Sequence, residues 1–485
     1  MRYAVPVNSS SEVAALSAQG ADELYCGYQD SWWAERYGDH DSATRRQGRA
    51  TLATRQELAS TVRASRQYGL PLYLALNSRY TEPQLDYLVQ LCRSFEDMGG
   101  TGVIISDLGL LWRLRGHTGL RVCLSILAVT QNVPTLKAYH SLGVSRVVLP
   151  RFVGWQEAGM LLSAVPQMEA EVMAFFDKCP WVDGYCRHRH GVSYADRVVE
   201  FGQDDASPLY TFDTTYRTHA CLGRACSYLQ PYPCAACHLR SFDTAGVGFA
   251  KLGGRGRPLD ERLRALRFLR QAQKLVSDDA RKTLYRKTFA QECACYYGPA
   301  TQSRHAIEKL SFPRSSARHY VGSETDYQAF HDAMARLCQG EMADYDGKLT
   351  ILVPPLSESG LQDLLIMLPM LAACCPSGTH VAVSDLGTLV ALAAKVREHG
   401  LGLKLTMATL LVRMDNPAEV AHFCTPVENP SRPVWGPLGE PRTLIYHQPT
   451  EELKLHWATP SLTESSAQAA LHELTSLPSV SYEFA

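Results

Sequence analysis

Between Lys178 and Gly191 the chain reads KCPWVDGYCRHRHG, which sets Cys179 and Cys186 seven positions apart with Gly184 two before the second. Cys221, Cys226, Cys234 and Cys237 follow, so six of the 15 cysteines fall within about an eighth of the chain. A deprotonated cysteine is a soft, anionic ligand, and four of them suit either a tetrahedral zinc ion or the irons of an iron-sulfur cluster. The spacing Cys221-x4-Cys226-x7-Cys234-x2-Cys237 would close a zinc site, and short ferredoxin-type runs are absent, so spacing alone points to a soft metal without choosing which. Inert buried thiols are the bland alternative. The pairs Cys293/Cys295 and Cys374/Cys375 are read in that bland way, as ordinary buried small residues. His188, His190, His219 and His238 lie near the cysteines. They read as surface or hydrogen-bonded side chains, with substrate binding or proton relay as the functional alternative.

The compartment decides how cysteines are read. The opening MRYAVPVNSSSEVAAL lacks the basic end, long apolar stretch and small-residue cleavage site of a secretion signal. No run of about 18 apolar residues offers a membrane span. A cytoplasmic protein with reduced thiols is therefore expected, where clustered cysteines mean metal or catalysis rather than disulfides. A net charge of −1 argues against binding bulk nucleic acid. A small-molecule or peptide-borne substrate is expected instead.

The elements that must position these residues follow from hydrophobic periodicity. RYAVPV, ELYCGY, LPLYLALN, GVIISD, RVCLSI and SRVVLP read as buried parallel strands, separated by amphipathic stretches such as TRQELASTVRASRQYG that Gly closes. EAEVMAFFDKC would be the next strand and would deliver Cys179 to its C-terminal end. The expected fold class is α/β, a TIM-barrel-like parallel (β/α) barrel over residues 1–258, with its chemistry at the strand ends. A helical connection is expected over 259–345, and a shortened second β/α half over 346–485. The second half is read as a degenerate repeat, because strand, SDLG, helix, Gly and strand recur in order from Ser106 and again from Ser384. Asp107 and Asp385 in those motifs are expected to cap the following helix. Asn77 and Arg151 close strands on the expected active face. Arg151 could clamp a carboxylate bidentately or serve as a barrel-mouth ion pair, and Lys251 and Arg255 of KLGGR are candidates of the same kind.

GADELYCGY, LALN, VIISDLGLL and GVSRVVLPR, in this order, resemble the collagenase-like peptidase U-thirty-two family, and EAEVMAFFDKC, DGYC and AGVGFAKLGGR extend the resemblance over about residues 1–290. Several members of that family are oxygen-independent hydroxylases holding a [4Fe-4S] cluster, with prephenate implicated as oxygen source. The resemblance implies Cys179 and Cys186 as the first two ligands, Cys221 or Cys226 as the third and Cys234 as the fourth. It also implies a homo-oligomer or a pairing with another family member as the possible partnership. There are departures. Phe175 stands where the peptidase-like branch has a histidine, the strand-end pair reads Arg151-Phe152, and Ser125-Ile126-Leu127 replaces a Ser-Thr-Gln. A long insertion separates the second and third cysteines. The leading expectation is an iron-sulfur enzyme that hydroxylates without O2. A non-catalytic cluster-bearing partner subunit is the alternative from another class. A metal-dependent protease is the third, and it finds neither HExxH nor G-x-S-x-G in this chain.

Overall fold

The computed structural model describes residues 1–37, 43–44, 46, 48–78, 80, 82–176, 232–297, 318–322, 327–342, 348–354, 356–383 and 385–407. Seven strands run in chain order: β1 (Arg2–Pro6), β2 (Glu23–Gly27), β3 (Leu72–Leu76), β4 (Gly102–Ile105), β5 (Arg121–Leu124), β6 (Val144–Val148) and β7 (Glu169–Phe175). Each pairs in parallel with the next. The two-residue strand β8 (Pro233–Cys234) follows, and then β9 (Phe249–Leu252) pairs in parallel with both β7 and β1. Eight parallel strands thus close a barrel, as the alternation of apolar and amphipathic segments requires. Their side chains are buried on both faces because helices cover the outside, which is why the strands read as continuous apolar runs.

The helices start where their sequences permit. Thr54 and Glu57 form a reciprocal cap on Arg55–Gln67. Asn132 caps Val133–Ser141, with Pro134 in the first turn. Asp107 accepts from the backbone of Leu110 at the head of Leu108–Leu114, as expected of the SDLG motif. The helix Leu259–Ala272, expected as part of a connection, packs on β1 and β9 and is the barrel's eighth helix. Its wholly buried Arg262 donates to the Pro6 carbonyl at 2.7 Å and to the Glu12 carboxylate.

The barrel interior carries charge that the sequence reading did not place. Arg146 on β6 grips Glu23 on β2 with two bonds of 2.6 and 3.0 Å, and lies 3.5 Å from Glu171 on β7. Lys251 on β9 reaches Glu171 at 2.7 Å and sits over the Tyr25 ring. All four are buried, two cations against two carboxylates. Burial drives the Glu23 carboxyl upward in pKa against the pull of Arg146. Burial works to discharge Lys251, but the Glu171 carboxylate outweighs it and the shift is upward.

Beyond the barrel lies an open parallel sheet of four strands, β11 (Arg318–Gly322), β12 (Lys348–Leu352), β13 (His380–Val383) and β14 (Lys404–Met407). β11 falls within the segment read as a helical connection, so the second unit takes in residues ahead of 346. β13, Asp385 and the helix Leu386–His399 repeat β4, Asp107 and its helix, and β14 follows as β5 does. The two units meet at helix starts. Asn132 caps its own helix and donates to Leu356 O and Thr388 Oγ1, while Asp385 caps its own helix and accepts from Thr135 Oγ1 at 2.7 Å. Among the described residues no helix is long and apolar enough to cross a membrane.

Candidate metal centre at the barrel mouth

β7 ends at Phe175, and β8 pairs antiparallel with that end, with Cys234 opposite Phe175. Phe176 donates its backbone N–H to Pro233, Ala235 donates to Ala174, and Gly253, just past β9, donates to Phe175. These bonds fix Cys234 at the C-terminal ends of β7 and β9, where barrels of this class carry their chemistry. Phe176 has φ of 59°, a left-handed conformation unusual for a bulky residue, at the point where the chain departs toward Cys179.

Cys234 is buried. Its sulfur accepts the backbone N–H of Ala236 at 3.3 Å, as a ligand thiolate does when the chain turns tightly after it. β10 (Ala294–Cys295) pairs with β8 and sets Cys295 opposite Cys234. Cys293 shares a hydrogen bond with the Cys234 thiol, and that bond holds the Cys293 thiol below its usual pKa. Burial pushes Cys234 well up. Burial also raises Cys237 to about 11, with Cys293 and Cys295 within its electrostatic reach. His238 Nε2 lies 3.1 Å from Cys295 Sγ, and burial lowers the pKa of that histidine. Among the described residues no three His, Cys, Asp or Glu side chains are gathered closely enough to hold a metal ion by themselves.

Aromatic rings wall this thiol group. Phe175 packs on Phe176, Tyr232, Phe268, Tyr285 and Phe289 at centroid distances of 4.7 to 6.3 Å. The ring at 175, where the family's peptidase-like branch has a histidine, is therefore packing. Of the five cysteines read as ligands, Cys234 alone lies in the described part, and Cys179, Cys186, Cys221 and Cys226 lie outside it. Cys293 and Cys295, read from sequence as ordinary small residues, are beside Cys234. Their signal was the Cys-x-Cys spacing itself. The chemistry of Cys234, a buried sulfur with an N–H donor and a thiol neighbour behind an aromatic wall, fits a soft-metal ligand.

The polar candidates divide by height in the barrel. Asn77 follows β3, and its Oδ1 is buried with no hydrogen-bond partner among the described residues. Half-buried Arg151 lies three residues past β6. Arg255, three residues past β9, is buried and donates to Thr44 O at 2.8 Å. It crosses the end of β2, where a Cβ on Gly27 would meet its guanidinium at 2.5 Å. All three are at the C-terminal end. Lys251 is instead inside β9, held by Glu171. Sequence reasoning passed over Thr130 and Gln131 after β5, whose Oγ1 and Nε2 are buried without a hydrogen-bond partner among the described residues, beside Val129 at φ of 54°. A polar pair in the loop between β5 and the Asn132 cap was the available sign.

A sequence model of peptidase family U32 matches residues 8–309. The "tRNA hydroxylation protein P" of Escherichia coli is 28% identical over 119 residues, which are 24% of this chain and 26% of that protein. The protein of the same name from Haemophilus influenzae is 23% identical over 182 residues, 37% of each chain. The matched part is thus well under half of either relative. The solved structure of the U32 peptidase Mk0906 shares 13% identity, with a TM-score of 0.32 over 53% of this chain and 94% of that one.

Proposed function

The chain belongs to peptidase family U32, and on that premise we propose that it is an iron-sulfur enzyme hydroxylating a small-molecule or peptide-borne substrate without O2, with a prephenate-type carboxylate as oxygen donor. The observation that carries this reading is Cys234, a buried and hydrogen-bonded sulfur at the C-terminal end of the barrel. The hydroxylation named for the two relatives supports the class of reaction. Cys179, Cys186, Cys234 and one of Cys221 and Cys226 would hold the cluster, with zinc as the competing occupant. When bound, the cluster supplies redox-active iron in soft thiolate ligation.

The chain's own residues then do the positioning. Arg151 and Arg255 end strands on one mouth, and either guanidinium can grip a donor carboxylate in a bidentate pair. Asn77 Oδ1 accepts a hydrogen bond from a substrate hydroxyl or amide. The rings from Phe175 to Phe289 pack beside the buried Cys234 thiol and keep water from it, and a low local dielectric strengthens the arginine contacts. Lys251 acts one layer down, holding β9 to β7 through Glu171.

Anaerobic purification with iron, sulfide and zinc analysis tests this. The expected result is coloured protein with about four iron and four sulfide ions per chain. Colourless protein with stoichiometric zinc would overturn the cluster. Arg151→Glu should keep the metal and abolish turnover, and wild-type turnover in that variant would move the donor elsewhere. A second reading, tRNA as the acceptor, is favoured by the names of the relatives. Nucleoside mass spectrometry of tRNA from cells with and without the protein decides between the two.

A further inference from the structure

We propose that Cys338 and Cys374 form a modification site in the second unit, a thiol pair that a low-molecular-weight disulfide oxidises to an intramolecular disulfide. It stands apart from the barrel and does not rest on the metal-centre reading. The placement follows from topology. β11, β12 and β13 are parallel neighbours, so the helices Tyr327–Cys338 and Glu358–Cys374 that return between them finish at the same end of the sheet. The two helices pack on each other, and cysteine is the last residue of each. A helix leaves its last carbonyls without partners inside the helix. The Cys374 thiol donates to one of them, Cys338 O, at 3.5 Å, so one sulfur lies against the other cysteine's backbone across 36 residues of chain. Both cysteines are half-buried, as is Cys375. Cys26 and Cys92 differ, being sealed in the barrel core where burial raises their thiols to about 12. Sealed thiols neither ionise at neutral pH nor meet an oxidant.

The exchange balances. The Cys374 thiolate, its proton gone to solvent, attacks one sulfur of the small disulfide and expels the first small thiolate. The Cys338 thiolate then attacks Cys374 Sγ and expels the second. Two protein thiols lose two electrons and two protons, and one small disulfide becomes two small thiols. Burial and the Cys374 neighbour hold the Cys338 thiol above its usual pKa, which suits it to the second, intramolecular step. Closing the bond brings the sulfurs to about 2 Å, a movement that helix ends supply because they fray. The bond ties the edge of the second unit to the barrel. β11 and its helix lie at the sheet's edge, whereas the helix Glu358–Cys374 is bonded to the barrel at its head, where Glu358 Oε2 accepts from Val133 N at 2.9 Å.

The test incubates anaerobic full-length protein with oxidised glutathione, alkylates the remaining thiols under denaturing conditions and maps the cysteines by mass spectrometry. Wild type is compared with Cys338→Ser, Cys374→Ser and Cys375→Ser. A Cys338–Cys374 link in wild type that persists in Cys375→Ser and is reversed by dithiothreitol supports the assignment. Free thiols at both positions, a glutathione adduct as the end product, a Cys374–Cys375 link or a link between two chains each overturns it. Should a serine variant not fold, the wild-type map decides alone. Cys338 and Cys374 fall in different tryptic peptides, and fragment ions separate Cys374 from Cys375. Hydrogen exchange in Tyr327–Cys338 should slow several-fold when wild type is oxidised and stay unchanged in Cys338→Ser. Unchanged exchange in linked wild type overturns the tie between the sheet edge and the barrel.

Discussion

At the scale of single residues, the sharpest stability prediction falls on Arg146. Its guanidinium neutralises Glu23 and Glu171 inside the barrel and lies 3.5 Å over the Phe249 ring. Removing one partner of a buried pair strands the other, at a cost of about 3–5 kcal/mol. Arg146→Met should lower the denaturant midpoint by a corresponding amount, and the double variant Arg146→Met/Glu23→Gln should regain part of it. Equal stability of Arg146→Met and wild type would show that the network is not structural. These charges were hidden in the sequence because each interrupts a short apolar run, in ELYCG, VSRVV, EAEVMAF and FAKL, and reads there as an edge. The candidate site was half legible for a similar reason. Cys234 announced itself by clustering along the chain, whereas Cys293 and Cys295 carry only a Cys-x-Cys spacing and come beside Cys234 through the pairing of β10 with β8.

Among elements, the two SDLG segments were legible as strand, cap and helix, because an Asp before an apolar helix start is a local signal. What each cap touches was not legible. Asn132 with Thr135 and Asp385 with Thr388 form two helix starts that exchange bonds across the boundary between the units, each Thr hydroxyl meeting the other's cap. Gly387 permits that approach, since a Cβ there would stand 1.9 Å from Thr135 N. Gly387→Ala should weaken the contact by about 1–3 kcal/mol of overpacking. Faster hydrogen exchange in Val133–Ser141 and Leu386–His399, with the barrel strands unchanged, is the expected reading; unchanged exchange in both helices contradicts it. Burial raises the Asp385 carboxyl, whose Oδ2 has no hydrogen-bond partner among the described residues. A raised folded-state pKa means that the folded chain binds the proton more tightly. Stability therefore falls as pH rises from the ordinary Asp range through the raised value, and is flat above it. Asp385→Asn keeps a capping oxygen without the charge. It should melt no lower than wild type at neutral pH, and its advantage should shrink as pH is lowered toward about 4; an advantage that grows on acidification would refute the buried charge.

For the whole molecule, the boundary of the barrel decides which fragments can live alone. Hydrophobic periodicity gave the parallel barrel, but the ends of the units lie elsewhere than composition suggests. The helix Leu259–Ala272 closes the barrel against β1 and β9, and β10 returns to β8 at residues 294–295. Among the described residues, the first unit therefore runs to residue 297. The second begins by β11, which has β12 as its partner in the four-stranded sheet. A cut at 345 leaves β11 and the helix Tyr327–Cys338 without β12, so it exposes an unpaired strand edge, and such edges aggregate. Among the described residues, a cut after 297 uncovers the polar helix start at Asn132 and Thr135, where the second unit bonds to the barrel. Chain 1–297 should be the more soluble fragment, unfold in one cooperative transition and retain its metal, because every cysteine assigned to the centre precedes residue 298. Chain 1–345 should precipitate at lower concentration despite being longer. Light scattering and metal analysis of the two fragments check this together. If 1–297 loses metal while the full chain keeps it, the second unit contributes to the centre, and the barrel alone does not build it.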